Sequence, residues 1–141
     1  MNWGVSTRRY DVLLAVLLGG CAGGAARFAI VRAWPTGSSG FPWSTLAVNL
    51  GGATALGVLV VLAGSVWRSR YARPLLGTGF CGAFTTFSAV VVDVDRLLAR
   101  GETGIAVGYL AASFVGGLAL ALGGIVTARA LIGRGPAERG T

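Results

Sequence analysis

The chain has 141 residues, 54% of them hydrophobic, with a mean hydropathy of +0.72, which excludes an ordinary soluble domain and predicts a single integral membrane domain. The net charge of +7 comes from twelve arginines against five acids, with no histidine. Because the arginines lie at the ends of apolar segments, they indicate membrane topology and no nucleic-acid partner.

Four apolar stretches are long enough for membrane helices, each of which needs about 20 apolar residues. They cover residues 12–31, 44–66, 75–94 and 105–130. The sequence therefore predicts an all-α membrane protein with a four-span domain at 12–130. A cytoplasmic amino tail, 1–11, and a cytoplasmic carboxyl tail, 131–141, flank it.

The first span has two unusual features. Its start, with Arg8, Arg9 and an apolar run to Cys21, also resembles a secretory or lipoprotein signal. The run continues to Val31, however, and three further spans follow, which favours a retained helix. Arg27, late in this span, is costly unless it reaches an interface or a polar partner. It is interpreted either as a snorkelling side chain or as a vestibule cation that attracts anions.

The second span carries Asn49, with Thr45 one turn before it on the same helix face. An asparagine in a membrane helix can tie two helices together, which contributes only about 1 kcal/mol. Its amide can also donate two N–H groups to an anion. Both interpretations stay open on spacing alone.

The third span contains a stretch that weakens a helix, from Gly77 to Ser88, rich in glycine and hydroxyl residues. Backbone polar groups in hydrocarbon must be paired, so such a stretch is stable only in protein or beside a wet cavity. The sequence therefore predicts a break in the third helix at mid-membrane, with free backbone groups that can hold ions. Phe87, in this stretch, can present the positive edge of its ring to an anion.

The fourth span places Tyr109 and Ser113 four residues apart, so their hydroxyls project from one side of the helix. Together with the polar stripe of the second span, they suggest a shared polar track. Polar contacts that merely join helices remain the alternative.

The arginines are distributed unequally between the two sides. Eight lie in the two tails and the second connection, whereas the opposite side has Arg32, Arg96 and Arg100. This bias predicts that both termini face the cytoplasm.

Three motifs resemble, in order and spacing, those of the Fluc/CrcB fluoride-channel family. They are Gly-Gly-Cys-Ala-Gly-Gly-Ala-Ala-Arg-Phe at 19–28, Ser-Thr-Leu-Ala-Val-Asn-Leu-Gly at 44–51, and Gly-Phe-Cys-Gly-Ala-Phe-Thr-Thr-Phe-Ser at 79–88. The likeness covers residues 13–125, and Tyr109 and Ser113 fit the polar pair in the family's fourth span.

The resemblance implies a dual-topology dimer of two antiparallel subunits, with two narrow fluoride pores along the interface. It implies passive, fluoride-selective export across a bacterial-type plasma membrane. Asn49, Phe87, Ser88, Tyr109 and Ser113 would line the fluoride pathway, and Arg27 would lie in the vestibule. A structural sodium ion would be held by the backbone carbonyls of Gly82 and Thr85.

The chain departs from the family pattern at two positions. Val90 stands where members have a second pore phenylalanine, and Gly117 replaces a polar residue one turn beyond Ser113. This loss and the arginine bias predict an antiparallel dimer with a separately encoded homologous subunit, the alternative being a homodimer.

Other functions were weighed against a conducting channel. A non-conducting partner subunit remains an alternative. A small multidrug-type exporter would need a carboxylate inside the membrane, and the only candidate, Asp93, lies near a loop. An enzyme is not expected, because the chain has no histidine, no paired carboxylates and no nucleophile beside a base.

Overall fold

Helices make up most of the computed structural model, which describes residues 7–35, 40–65 and 69–133. No strand occurs within those ranges, so the prediction of an all-α protein is confirmed for the described chain. The first two helices are α1, Thr7–Ala33, and α2, Trp43–Ser65. Helix α1 thus begins inside the predicted amino tail.

Each of the last two crossings is built from three helical segments. The segments are α3 (Arg73–Cys81), α4 (Gly82–Phe84), α5 (Phe87–Ala99), α6 (Thr103–Ala111), α7 (Ala112–Gly116) and α8 (Gly117–Ile132). Helices α3 and α7 have the wider π-helical winding, and the others are α-helical.

The prediction of four membrane-spanning helices is confirmed in length and apolar composition. Four helical runs are long and apolar enough to cross a membrane: Tyr10–Ala33, Trp43–Gly64, Arg73–Ala99 and Thr103–Ile132. Successive runs are joined by short connections, which favours antiparallel neighbours.

The third crossing is longer than the sequence predicted. Asp95 and Arg96, which follow the predicted third span, lie within α5. Both side chains are exposed, whereas the next residue, Leu97, is buried. The charges interrupt the apolar run but not the helix, since they occupy its outer face. The connection itself is only the turn at 100–102, where Gly101 has a φ of 76° that favours glycine.

Side-chain contacts show which ends of the helices meet. Asp11, near the start of α1, pairs with Arg70, just before α3, at 3.2 Å, and the Tyr71 hydroxyl donates to the same carboxylate. Gly40, before α2, lies against the side chains of Arg100 and Glu102. The second connection therefore shares an end with the start of α1, and the first connection shares the other end with the third.

Glycines allow two helix pairs to approach closely. A Cβ atom added at Gly19 or Gly23 of α1 would overlap backbone carbonyls of Leu75 or Phe80, and one at Gly57 of α2 would overlap that of Ala121 in α8. The spacing of Gly19 and Gly23 thus allows close contact between α1 and α3. Gly20 and Gly24 have the same spacing but make no such contact within the chain, because Gly24 has nothing within 4 Å and Gly20 has only an ordinary contact at 3.9 Å.

Most large apolar side chains lie on the outside of the four-helix unit. The buried core is small and centres on Leu46, Val90, Leu97, Ala106 and Tyr109. Lipid tails are as apolar as leucine, so such a protein holds together by close packing and polar contacts rather than by a large core.

Candidate functional site

The third crossing is interrupted over two residues. Helix α4 ends at Phe84, and Thr85 (φ −79°, ψ 153°) and Thr86 (φ −149°, ψ 122°) are extended before α5 begins. The interruption is shorter than the glycine-rich stretch suggested, because Gly77, Gly79 and Gly82 remain helical. The Thr85 amide and hydroxyl both donate to the Cys81 carbonyl, at 3.0 and 2.9 Å, which closes the preceding helix.

Asn49 binds the interrupted backbone from the neighbouring helix. Its Oδ1 accepts from the Thr86 amide at 2.8 Å, and its Nδ2 donates to the Thr86 carbonyl at 3.0 Å. One side chain thereby satisfies both backbone groups of an extended residue, which would be costly to leave unpaired. The sequence left open whether Asn49 ties two helices together or donates to an anion. These bonds join α2 to the third crossing and use one of the two amide N–H groups, so the other N–H can still donate to a ligand.

Two further side chains secure the break. The Thr86 hydroxyl accepts from the Ala89 amide at 3.2 Å, which caps α5, and lies 3.1 Å from the Ser88 hydroxyl. Arg27 Nε donates to the Ala83 carbonyl at 3.1 Å, at the end of α4. A cation at a helix C-terminus is favourable, so Arg27 has a polar partner inside the protein.

Three carbonyl oxygens at the break, those of Gly82, Phe84 and Thr85, differ from the two beside them. A helix end leaves its last carbonyls without intrahelical donors, and the carbonyls of Ala83 and Thr86 receive side-chain N–H groups instead. Within residues 7–35, 40–65 and 69–133, no side chain and no backbone amide across the break donates to the oxygens of Gly82, Phe84 or Thr85. These three oxygens are available to a ligand, and of the three residues Gly82 and Thr85 line a groove.

One groove, here called the Asn49 groove, collects most of the predicted site. Its volume is about 550 Å³. The predicted site residues that line it are Asn49, Gly82, Thr85, Phe87 and Ser113. Thr86, Val90, Phe114 and Gly117 also contribute to its wall.

A second groove, here called the Arg27 groove, has a volume of about 430 Å³ and takes the remaining exposed site residues. Arg27 and Ser88 line it together with Thr45 and Asp93, and Thr86 borders both grooves. The structure thus divides the predicted pathway between two grooves that meet at the break.

Tyr109 lies in neither groove. It is fully buried, and its hydroxyl donates to Asp93 Oδ2 at 3.4 Å. Asp93 also faces Arg96 at 3.8 Å. The Ser113 hydroxyl oxygen is buried and has no hydrogen-bond partner within the described residues. The tyrosine therefore links the fourth crossing to the carboxylate of the third.

Asp93, near the predicted end of the third span, makes a contact with Tyr109 that the sequence did not reveal. It lies six residues before the end of α5, and Tyr109 lies six residues after the start of α6. Because α5 and α6 form an antiparallel hairpin around a short turn, residues at equal distances from the turn lie opposite each other. Equal spacing from the turn would therefore have predicted the contact between Asp93 and Tyr109 from the sequence.

Comparison with known proteins identifies the family. The model of the CrcB-like proteins, described as Camphor Resistance (CrcB), matches residues 14–125. The chain belongs to the CrcB family. It is 47% identical over 103 residues to the "Fluoride-specific ion channel FluC 2" of Streptomyces avermitilis, an alignment that covers 72% of this chain and 65% of that protein.

Two further CrcB relatives match over most of their length. The "Fluoride-specific ion channel FluC" of Chlorobium phaeobacteroides is 44% identical over 78% of this chain and 87% of its own. The "Fluoride-specific ion channel FluC 1" of Cutibacterium acnes is 38% identical over 95% of this chain and 96% of its own. The chain spans about two thirds of the Streptomyces avermitilis relatives, 65% and 64% of their lengths.

Membership of the CrcB family bears on two predictions, that the chain is not an enzyme and that it crosses the membrane several times. The relatives are named as ion channels, which confirms that the chain is not an enzyme. Four helices of membrane-spanning length in a channel family make it a multi-pass membrane protein.

Proposed function

We propose that this chain is a subunit of a fluoride-selective channel that lowers cytoplasmic fluoride by passive export across a bacterial plasma membrane. The observation that carries the proposal is the Asn49 groove, which brings an amide, a phenyl ring and a hydroxyl beside an interrupted helix. The relatives' names, as fluoride-specific ion channels, support fluoride as the ion.

The chemistry of the groove suits a small, strongly hydrated anion. Such an ion crosses a membrane only if close donors replace its water. The second N–H of Asn49 and the Ser113 hydroxyl are donors, and the ring edge of Phe87 carries positive partial charge. A negative cell interior favours outward movement by about 2.3 kcal/mol per 100 mV for one charge.

The residues near the break also fit the structural sodium ion implied by the family likeness. Sodium is a hard cation that prefers oxygen ligands, and the carbonyl oxygens of Gly82 and Thr85 lack donors while both residues line one groove. Two oxygens are too few for such an ion, so a second subunit would supply the remainder. The ion would hold the two breaks together as a fixed positive charge and would not be transported.

An antiparallel dimer would complete the pathway. In the single chain the Asn49 groove is open and the Phe87 side chain is 66% exposed, so a second subunit is needed to enclose an ion there. The arginine bias favours one fixed orientation with both termini in the cytoplasm, and therefore a homologous partner inserted the opposite way. A homodimer is the alternative.

Fluoride efflux from liposomes tests the proposal. The purified chain, alone and co-purified with an oppositely inserted homologue, is reconstituted with trapped fluoride, and release is followed with a fluoride electrode. We expect release that requires protein and leaves trapped chloride behind. Release by the homologue alone, unchanged when this chain is added, would instead favour the non-conducting subunit.

The small multidrug-type exporter receives no support. Its membrane carboxylate would have to be Asp93, which bonds Tyr109 and faces Arg96. The family match gives no reason to propose that activity.

A further inference from the structure

Position 90 holds valine where the family pattern has a second pore phenylalanine, and another phenylalanine of this chain lies close enough to supply the missing ring. Val90 is only 3% exposed and belongs to the buried core with Leu46, Leu97 and Tyr109. Where it borders the Asn49 groove it presents an aliphatic side chain and no aromatic ring. A pathway that needs a second phenyl edge must obtain it from elsewhere in the chain.

Phe114 occupies a suitable place in the fourth crossing. Its side chain is 60% exposed and lines the Asn49 groove next to Ser113. Its ring centroid lies 6.3 Å from that of Phe87, with the ring planes at 59°. This separation is within the range of aromatic pairs, so the two rings form one aromatic pair in the wall of the Asn49 groove.

Local backbone structure explains why this ring reaches the groove. Ser113 and Phe114 lie in α7, the five-residue π-helical segment Ala112–Gly116. A π-helical turn contains more residues than an α-helical turn, so the angle between successive side chains around the helix axis is smaller. Ser113 and Phe114 can therefore both face the Asn49 groove. Gly117, three residues further on, has nothing within 4 Å of an added Cβ, so the groove is open on that side.

We propose that Phe114 supplies the second aromatic edge of the fluoride pathway in this chain, in the role that Val90 does not fill. The inference rests on the proposed channel function. The C–H edge of its ring carries positive partial charge and has no hydroxyl, so it stabilises a partly dehydrated anion without holding it tightly. It stands beside the buried Ser113 hydroxyl, which would share the same ion.

The test compares ring chemistry at position 114 at nearly constant shape. Phe114→Leu removes the ring, and pentafluorophenylalanine at position 114 keeps the ring but reverses its edge charge. All proteins are reconstituted in the oligomer in which the wild-type chain conducts. Fluoride efflux, the fluoride-to-chloride ratio and the elution volume of the oligomer are then measured.

We expect both changes to slow fluoride efflux roughly tenfold and to lower the selectivity ratio, with an unaltered elution volume. The controls Val115→Ala and Leu118→Ala, on exposed side chains outside the grooves, should conduct like wild type. Normal efflux in both position-114 proteins would overturn the inference, and so would normal efflux with pentafluorophenylalanine alone, which would mean that the ring only packs. A wild-type protein without fluoride efflux would instead overturn the proposed function, and this inference with it.

Discussion

Asn49 shows how one polar side chain in a membrane helix can satisfy the backbone of a neighbouring crossing. Its amide forms a reciprocal pair with the amide and carbonyl of Thr86. Both groups of Thr86 would otherwise lack partners in a low-dielectric region. In the proposed channel, the stability of the break and a donor on the pathway would therefore depend on the same side chain.

Replacing Asn49 by alanine should lower both the stability of the protein and its fluoride efflux. We expect the free energy of unfolding to fall by about 1–3 kcal/mol, since two backbone groups lose their partners, and fluoride efflux to be largely lost. Thermal unfolding in detergent and the electrode assay measure the two effects. Thr54→Val is the matched control on α2, because Thr54 bonds only the Leu50 carbonyl of its own helix.

Tyr109 allows a sharper separation of structure from transport. Its hydroxyl bond to Asp93 is long, at 3.4 Å, so Tyr109→Phe should cost at most about 1.5 kcal/mol of stability. If the hydroxyl also serves the fluoride pathway, efflux should fall far more than this loss explains. Tyr71→Phe is a close control, since it removes another 3.4 Å bond to a carboxylate, that of Asp11. Equal efflux in Tyr109→Phe and Tyr71→Phe would show that the Tyr109 hydroxyl has no part in transport and that the residue serves only the core.

At the scale of single residues, spacing along the chain predicted part of the site. Asn49, Phe87 and Ser113 do line one groove, but Ser88 lines the other and Tyr109 is buried. Helical periodicity places residues on a face of their own helix. Which neighbouring helix covers that face depends on tertiary packing, which a single sequence does not specify.

At the scale of helices, the spans were predictable because hydropathy and length are local properties. The backbone contacts between α1 and α3 could not be predicted in the same way, because they depend on the register of the two helices. Gly19, Gly20, Gly23 and Gly24 are alike in sequence, yet only the first and third meet a carbonyl at a distance that excludes a Cβ. The extent of the break was also missed, since Gly77, Gly79 and Gly82 stay helical although glycine weakens a helix.

The glycine contact yields a prediction for α1. Gly23→Ala places a methyl group against the Phe80 backbone, which cannot move away as a side chain would, and should destabilise the protein by about 1–3 kcal/mol. Gly20→Ala on the same helix meets only the Gly79 carbonyl at 3.9 Å and should be neutral or slightly stabilising. Melting temperatures in detergent compare the two. Identical losses would show that α1 and α3 are not in this register.

At the scale of the whole molecule, the orientation in the membrane is predicted from the charges at the two ends of the helices. Asp11 and Arg70 meet at one end, and Gly40 meets Arg100 at the other, so the charge count can be assigned to sides. We expect alkaline phosphatase fused after residue 141 to be inactive and a fluorescent protein at the same place to be bright.

Changing the arginines extends the topology test. Arg70→Gln with Arg73→Gln should give a mixed population with both reporters partly active, because the bias is weakened. Arg96→Gln with Arg100→Gln strengthens the bias and should change neither signal. An active phosphatase fused to the wild-type chain would contradict the fixed orientation, and with it the main reason for proposing a second, oppositely inserted subunit.

The central claim is that the interrupted third helix and its Asn49 groove conduct fluoride once a second subunit encloses them. Electrode measurement of fluoride efflux from liposomes tests this most directly, with wild-type and Asn49→Ala chains in the same oligomer. The account predicts rapid efflux from wild-type vesicles, retained chloride, and efflux near the protein-free level for the variant. Wild-type vesicles that keep their fluoride with every tested partner, or a variant that conducts as well as wild type, would contradict it.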